Sequence, residues 1–168
     1  MNTQTHTQTR NMPKTIITFG TFDLFHFGHL RIIQRAASRG DRLVVGVSSD
    51  HLNFVKKHKR PACNQEHRMA IVRALGCVDQ VFLEESLEEK AAYCEAYGAD
   101  LLVMGDDHVG KFDKICEGVC PVEYPPRTQG ISSTKLKRDI SSEAISSMTA
   151  SKLNVETKIK AKHVPMIE

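Results

Sequence analysis

In the stretch IITFGTFDLFHFGH, residues 16–29, an apolar run breaks at Gly20 and is followed by an acid, Asp23, and two histidines, His26 and His29. Residues three apart on a helix share a face, so two imidazoles at this spacing can reach one phosphoryl group. Gly20 permits a tight exit from a strand, and Gly28 leaves backbone N–H groups open to a ligand's close approach. A strand, a glycine turn and a helix start together form an anion site, because the unpaired N–H groups of a first helical turn point at whatever is bound there. One histidine beside an apolar helix is usually a half-buried structural residue. Two on one face, with an acid, at the carboxyl end of a strand, argue for nucleotide chemistry. Neither ring has to act as a base where the attacking group is already an anion, and the chain offers no convincing catalytic triad.

Three further segments carry groups suited to the same ligand. Lys56, Lys57, His58, Lys59 and Arg60 form a basic run. Such a run is often just a solvated face. Following a strand that ends beside a phosphate site, it can instead close over a triphosphate and neutralise it. Gly105-Asp106-Asp107-His108 supplies carboxylates suited to magnesium or to hydrogen bonds with a ligand. In RTQGISST, Arg127 to Thr134, a guanidinium can hold a phosphate bidentately, and serines can cap a helix whose free N–H groups bind anions.

These groups need a scaffold that brings distant loops to one place. Lys14–Phe19 reads as a first strand, and from Gly28 the apolar residues Leu30, Ile33, Ala36 and Ala37 recur at helical spacing until Gly40. Arg42–Val47 is a continuous apolar run of the kind found in strands covered on both faces, so a right-handed βαβ unit opens the fold. Residues 54–64 show no clean period and read as a loop. A helix over Gln65–Leu75, a strand over Val78–Leu83, an acidic helix from Glu84 to Tyr97 and a strand over Asp100–Met104 follow. Residues 109–117 form a short helix or irregular connection, Val119–Tyr124 the last strand, and Ser132 or Ser133 caps a helix through Ile140.

The 168 residues allow one layered domain, and a formal charge of +3 is too small to imply nucleic acid or membrane as a partner. Five scattered cysteines suit a reducing compartment; Cys116 and Cys120 are close, but the pattern completes no zinc site. No run is long and apolar enough to span a bilayer. Residues 1–13 read as a polar, disordered leader without the apolar core of a secretion signal, which points to the cytoplasm. Residues 141–168 read as a polar tail, disordered or packed as a helix on a partner subunit.

At GTFDLFHFGH the chain resembles the nucleotidyltransferase superfamily, which carries an HxGH pair after its first strand. VSSD, NQEHR, VDQV, VMGDDHVGKFD and PRTQGISSTKLK extend the likeness from Lys14 to Ile140 and narrow it to the cytidylyltransferase family, nearest its glycerol-3-phosphate branch. The resemblance implies a Rossmann-like α/β single domain, with a central five-stranded parallel sheet flanked by helices, acting as a homodimer. It implies catalytic roles for His26, His29, Lys56 and Arg127. It implies nucleotide contacts from Gly20, Thr21, Phe22, Asp23, Gly28, Lys59, Arg68, Gly105, Asp106, Gly130, Ile131, Ser132, Ser133 and Thr134, with Asp106 near the cytosine or ribose and Asp23 near the acceptor or the metal-linked phosphates. Mg2+ would accompany the triphosphate, with no metal site in the protein itself.

The implied reaction moves CMP from CTP to a phosphorylated alcohol, glycerol 3-phosphate first among them, and releases pyrophosphate. Rivals are phosphoethanolamine, phosphocholine, another polyol or sugar phosphate, adenylyl transfer from ATP to FMN, and a non-catalytic nucleotide- or nucleic-acid-binding protein. A choline group asks for an aromatic cage, and this chain has no Trp and three Tyr. KKHKR lacks the interleaved aromatics of a nucleic-acid surface. The chain departs from the family pattern at Gly76, in place of an arginine; at Phe27, for a tryptophan; at His108, for another aromatic; and at Gln129, for a glutamate. An extra residue near 56–60 leaves open which of Lys56, His58 and Lys59 match the family's mobile-loop lysines.

Overall fold

Continuous runs of Ile, Val and Leu suit strands covered on both faces. In the computed structural model, which describes residues 13–143, such runs build β1 (Thr15–Gly20), β2 (Arg42–Ser48) and β4 (Leu101–Val103), with β3 (Gln80–Glu84) and β5 (Val122–Glu123) outside them. All pairings are parallel and the strand order is β3-β2-β1-β4-β5. Every strand therefore empties on one edge, and the order reverses between β1 and β4, where open α/β sheets form their ligand crevice. Successive strand residues face opposite layers. Ile17, Val44 and Leu102 join one buried cluster with Phe82 and Cys94, while Ile16, Val45 and Val103 join the other with Ile33 and Val72.

Four helices accompany the sheet: α1 (Phe27–Ala37), α2 (Asp50–Lys57), α3 (Gln65–Arg73) and α4 (Lys90–Ala96), with a 3-10 turn at Asp106–His108. α1 and α3 cover one face through Ile33, Ala36 and Val72, and α4 covers the other through Cys94. The chain divides after Gly130, and the second unit begins with a helix, α5, over 133–143. The expected serine cap is present there: Ser132 Oγ accepts the Lys135 N–H at 3.1 Å, and the Ser132 carbonyl accepts that of Leu136 at 3.0 Å. Of the expected leader and tail, 1–12 and 144–168 lie outside the described residues.

Three expectations change. The loop expected over 54–64 begins as α2, because Ser49 caps it, accepting the Leu52 N–H at 3.0 Å, and Leu52 and Asn53 are buried beneath it. Eight residues are too few for a clear period, and the helix stops where His58 turns left-handed at φ 51. The acidic helix expected from Glu84 starts only at Lys90, since Glu84 ends β3 and turns inward to accept the Ser48 hydroxyl at 2.6 Å. The last strand shortens to Val122–Glu123, because residues before it close a turn in which Cys120 N–H donates to the Cys116 carbonyl at 3.2 Å.

Candidate active site

The turn leaving β1 is held in a strained shape. A side chain at Gly20 would place its Cβ 2.8 Å from the Phe22 ring, so glycine is needed for that ring to fold back. Phe22 and Leu24 have φ of 53 and 46, a left-handed conformation that costs about 1 kcal/mol each outside glycine. Two anchors hold it. The Phe22 ring is buried, and the buried Asp23 carboxylate accepts the N–H groups of Ala62 and Cys63, both at 3.0 Å. Asp23 thus pins the segment before α3 onto the turn after β1, and its oxygens are engaged by backbone.

The turn delivers His26 to the N-cap of α1 in an extended conformation, φ −140. Its carbonyl accepts the N–H groups of His29 and Leu30 at 2.9 and 3.2 Å, its side chain makes no capping bond, and Gly28 follows in the first helical turn. The two imidazoles stack with centroids 3.8 Å apart and planes 17° from parallel. Phe22 and Phe25 pack on His29 at 5.4 and 5.6 Å. The His29 Nδ1 is buried with no hydrogen-bond partner among the described residues. Burial, followed by His26 and Arg127, pushes His29 down to about 3 against the pull of Asp23, and burial with Arg127 lowers His26. Both shifts favour the neutral form of the ring.

Arg127, whose charge reaches both imidazoles, is brought in from the far side of the reversal point. Its backbone N–H donates to the Asp106 carboxylate at 2.9 Å, and Arg35 on α1 donates to the Pro126 carbonyl. The ends of β1 and β4 and the segment after β5 therefore converge at the crevice. Gly105 precedes Asp106 as the cap of the 3-10 turn, and Gly130, at φ 82, ends the first unit. Ile131, Ser132, Ser133 and Thr134 belong to the second unit, where they form the start of α5.

Arg68, on α3, reaches the exits of β1 and β2. Its side chain is 0 % exposed, donating to the carbonyls of Cys63 at 2.9 Å, Thr21 at 2.6 Å and Ser48 at 2.9 Å, and to the Asp50 carboxylate at 2.6 Å. It ties the exits of β1 and β2 to α2 and α3, so it positions the edge. Thr21 donates its hydroxyl to Asn53 at 2.7 Å, and Asn53 donates to the carbonyls of Ser48 and Ser49 at 3.3 and 2.9 Å.

Lys56, in the last turn of α2, lines a groove of about 430 Å³ with Lys57, Glu88, His108, Lys111 and the apolar Leu87, Phe112 and Ile115. Burial is the main cause lowering the Lys56 ammonium, and Lys57 and Lys111 push the same way against Glu84 and Glu88. Lys59 lies on the exposed segment beyond α2. Beneath this region, the buried Lys90 pairs with Glu84 and sits 3.4 Å from the Phe19 ring centroid. Burial pulls its ammonium down to about 8 while Glu84 resists. Sequence reasoning missed Asn53, the Lys90–Glu84 pair and the groove. A lone lysine within an acidic stretch was the only trace of the pair.

A parallel sheet whose reversal point carries two stacked imidazoles and an arginine has the layout of the nucleotide-binding α/β class. Within that class, the chain belongs to the cytidylyltransferase-like family, whose model matches residues 17–139. It is 43 % identical over 129 residues to the glycerol-3-phosphate cytidylyltransferase of Bacillus spizizenii, covering 77 % of this chain and 98 % of that one. The protein of the same name from Bacillus subtilis is 44 % identical over 127 residues, 76 % of this chain and 97 % of its own. Among solved structures, the lipopolysaccharide core biosynthesis protein of Thermoplasma volcanium shares the fold, with a TM-score of 0.58 at 23 % identity over 71 % of this chain and 99 % of that one.

Proposed function

We propose that the enzyme transfers the cytidylyl group of CTP to glycerol 3-phosphate, giving CDP-glycerol and pyrophosphate. The observation that carries the reaction type is the stacked His26–His29 pair with Arg127 beside it at the sheet's reversal point. The acceptor follows the relatives, which match this chain across nearly their whole length. An oxygen of the acceptor phosphate, already anionic near neutral pH, attacks the α-phosphorus, and the bond to the bridging oxygen of pyrophosphate breaks. The imidazoles donate hydrogen bonds to oxygens on which charge accumulates, and Arg127 and Lys56 steady the leaving pyrophosphate.

Magnesium fits this reading as an ion carried by the nucleotide. Asp23 accepts two backbone N–H groups and Asp106 a third. Bound with the triphosphate, the ion screens its charge. The same reading has the enzyme working in the cytoplasm as a homodimer; no described helix is long and apolar enough to cross a membrane.

The charge of the Lys56 groove supports the same acceptor. Lys56, Lys57 and Lys111 outnumber Glu88 there, which suits a phosphate on a neutral glycerol and opposes the ammonium of phosphocholine or phosphoethanolamine. Pyrophosphate release should be measured with CTP or ATP against glycerol 3-phosphate, phosphocholine, phosphoethanolamine and FMN, with products weighed by mass spectrometry. Release is expected with CTP and glycerol 3-phosphate. Preference for ATP, or CTP turnover with an ammonium-bearing acceptor instead, would overturn the assignment.

A further inference from the structure

Three of the five cysteines meet inside the protein, a convergence that spacing alone does not reveal. Cys94 lies on α4, while Cys116 and Cys120 lie on successive turns of the segment between β4 and β5. All three are buried, and their Sγ atoms lie within 4.8 Å of one another. Sulfurs that bind one zinc ion at about 2.3 Å each stand a little under 4 Å apart in tetrahedral geometry, so this trio needs only a small contraction. A cavity of about 500 Å³ lies beside the trio, lined by Cys116 and Cys120 together with Asp113, Glu117 and Val122.

We propose that Cys94, Cys116 and Cys120 form a buried three-thiolate site for a soft d10 metal ion such as Zn2+. On binding, each thiol gives up its proton and forms one metal–sulfur bond; nothing is oxidised or reduced. Three thiolates around Zn2+ leave one negative charge, and the Lys90 ammonium, which is paired with Glu84, has a field that reaches Cys94 and Cys116. Burial raises the free Cys94 and Cys116 thiols. The ion would staple α4 to the segment that carries Lys111 and Phe112.

The test uses the full chain, reduced and stripped with chelator, then titrated with Cd2+ and separately with Zn2+ against a chromophoric chelator. One equivalent of Cd2+ should produce a sulfur-to-metal charge-transfer band, and the cadmium NMR shift of the unaltered protein should report three sulfur ligands. Cys94→Ser, Cys116→Ser and Cys120→Ser should each weaken Zn2+ binding by at least about tenfold, the lower end of what disturbing even an outer shell costs. Cys63→Ser and Cys77→Ser should leave it unchanged. No charge-transfer band, a shift reporting fewer sulfurs, or full affinity in the triple serine variant would overturn the site. The cadmium measurements need no variant, so misfolding of a serine substitution does not blunt them. Cytidylyl transfer is read by none of these arms, so the site and the proposed reaction stand or fall separately.

Discussion

His26 and His29 make a pair whose behaviour follows from burial more than from residue type. Removing one donor that acts on developing charge costs about 3 kcal/mol, on the order of a hundredfold in turnover. His26→Ala and His29→Ala should each lose about that much kcat, with a circular dichroism spectrum matching the parent; full activity in both would remove the pair from the mechanism. The depressed His29 titration has a second consequence. Its folded pKa, about 3, lies below the unfolded 6.5, so the stability it contributes is complete above 6.5 and is lost as pH falls towards 3. The full loss is on the order of 4 kcal/mol. Urea unfolding from pH 7 to pH 4 should therefore show a steeper decline for the parent than for His29→Gln. Parallel curves would mean that the ring titrates normally.

At the scale of elements, the histidines depend on a turn that would not hold its shape alone. The left-handed Phe22 and Leu24 persist because Asp23 and Arg68 lash the β1 exit to neighbouring elements. Arg68 is buried and charged, and removing one partner of such a pair costs roughly 3–5 kcal/mol because the other is stranded. Arg68→Ala should lower unfolding free energy by that order in denaturant titration. Arg68→Lys should recover little, since a single ammonium cannot reach three carbonyls and the Asp50 carboxylate at once. A variant of Arg68 with unchanged stability but a raised KM for CTP would instead place the guanidinium on the nucleotide. α2 belongs to the same scheme, because Asp50, which takes the Arg68 guanidinium, also accepts the Gln65 N–H at 3.2 Å across the α2–α3 connection.

Across the whole first unit, the working edge lies above a charged core. The Lys90–Glu84 pair joins α4 to β3 below the groove that Lys56 lines, with Phe19 and Phe112 packed around the ammonium. Lys90→Met should destabilise by roughly 3–5 kcal/mol, and adding Glu84→Leu should return much of the loss, since a matched apolar pair replaces a buried ion pair at little net cost. A double-mutant cycle followed by thermal unfolding measures this directly; strictly additive losses would mean that the two residues act independently.

The local chemistry of the site was legible in the chain order itself. A strand, a glycine and histidines three apart bring two imidazoles to the start of one helix, and unbroken apolar runs suit strands covered on both faces, because both are patterns within a few residues. What no local pattern contains is the meeting of residues far apart: Asp23 with the amides of Ala62 and Cys63, Arg68 with the carbonyl of Thr21, Lys90 with Glu84 beneath Phe19, and Cys94 with Cys116 and Cys120. α2 escaped for a related reason, since its eight residues are held by a serine cap and a buried face more than by any period of their own. Motif spacing records which side chains lie on one face of one element. The register of the sheet and the crossover of its helices decide which elements face each other, and with them whether a charge is exposed as a ligand or buried as a clamp.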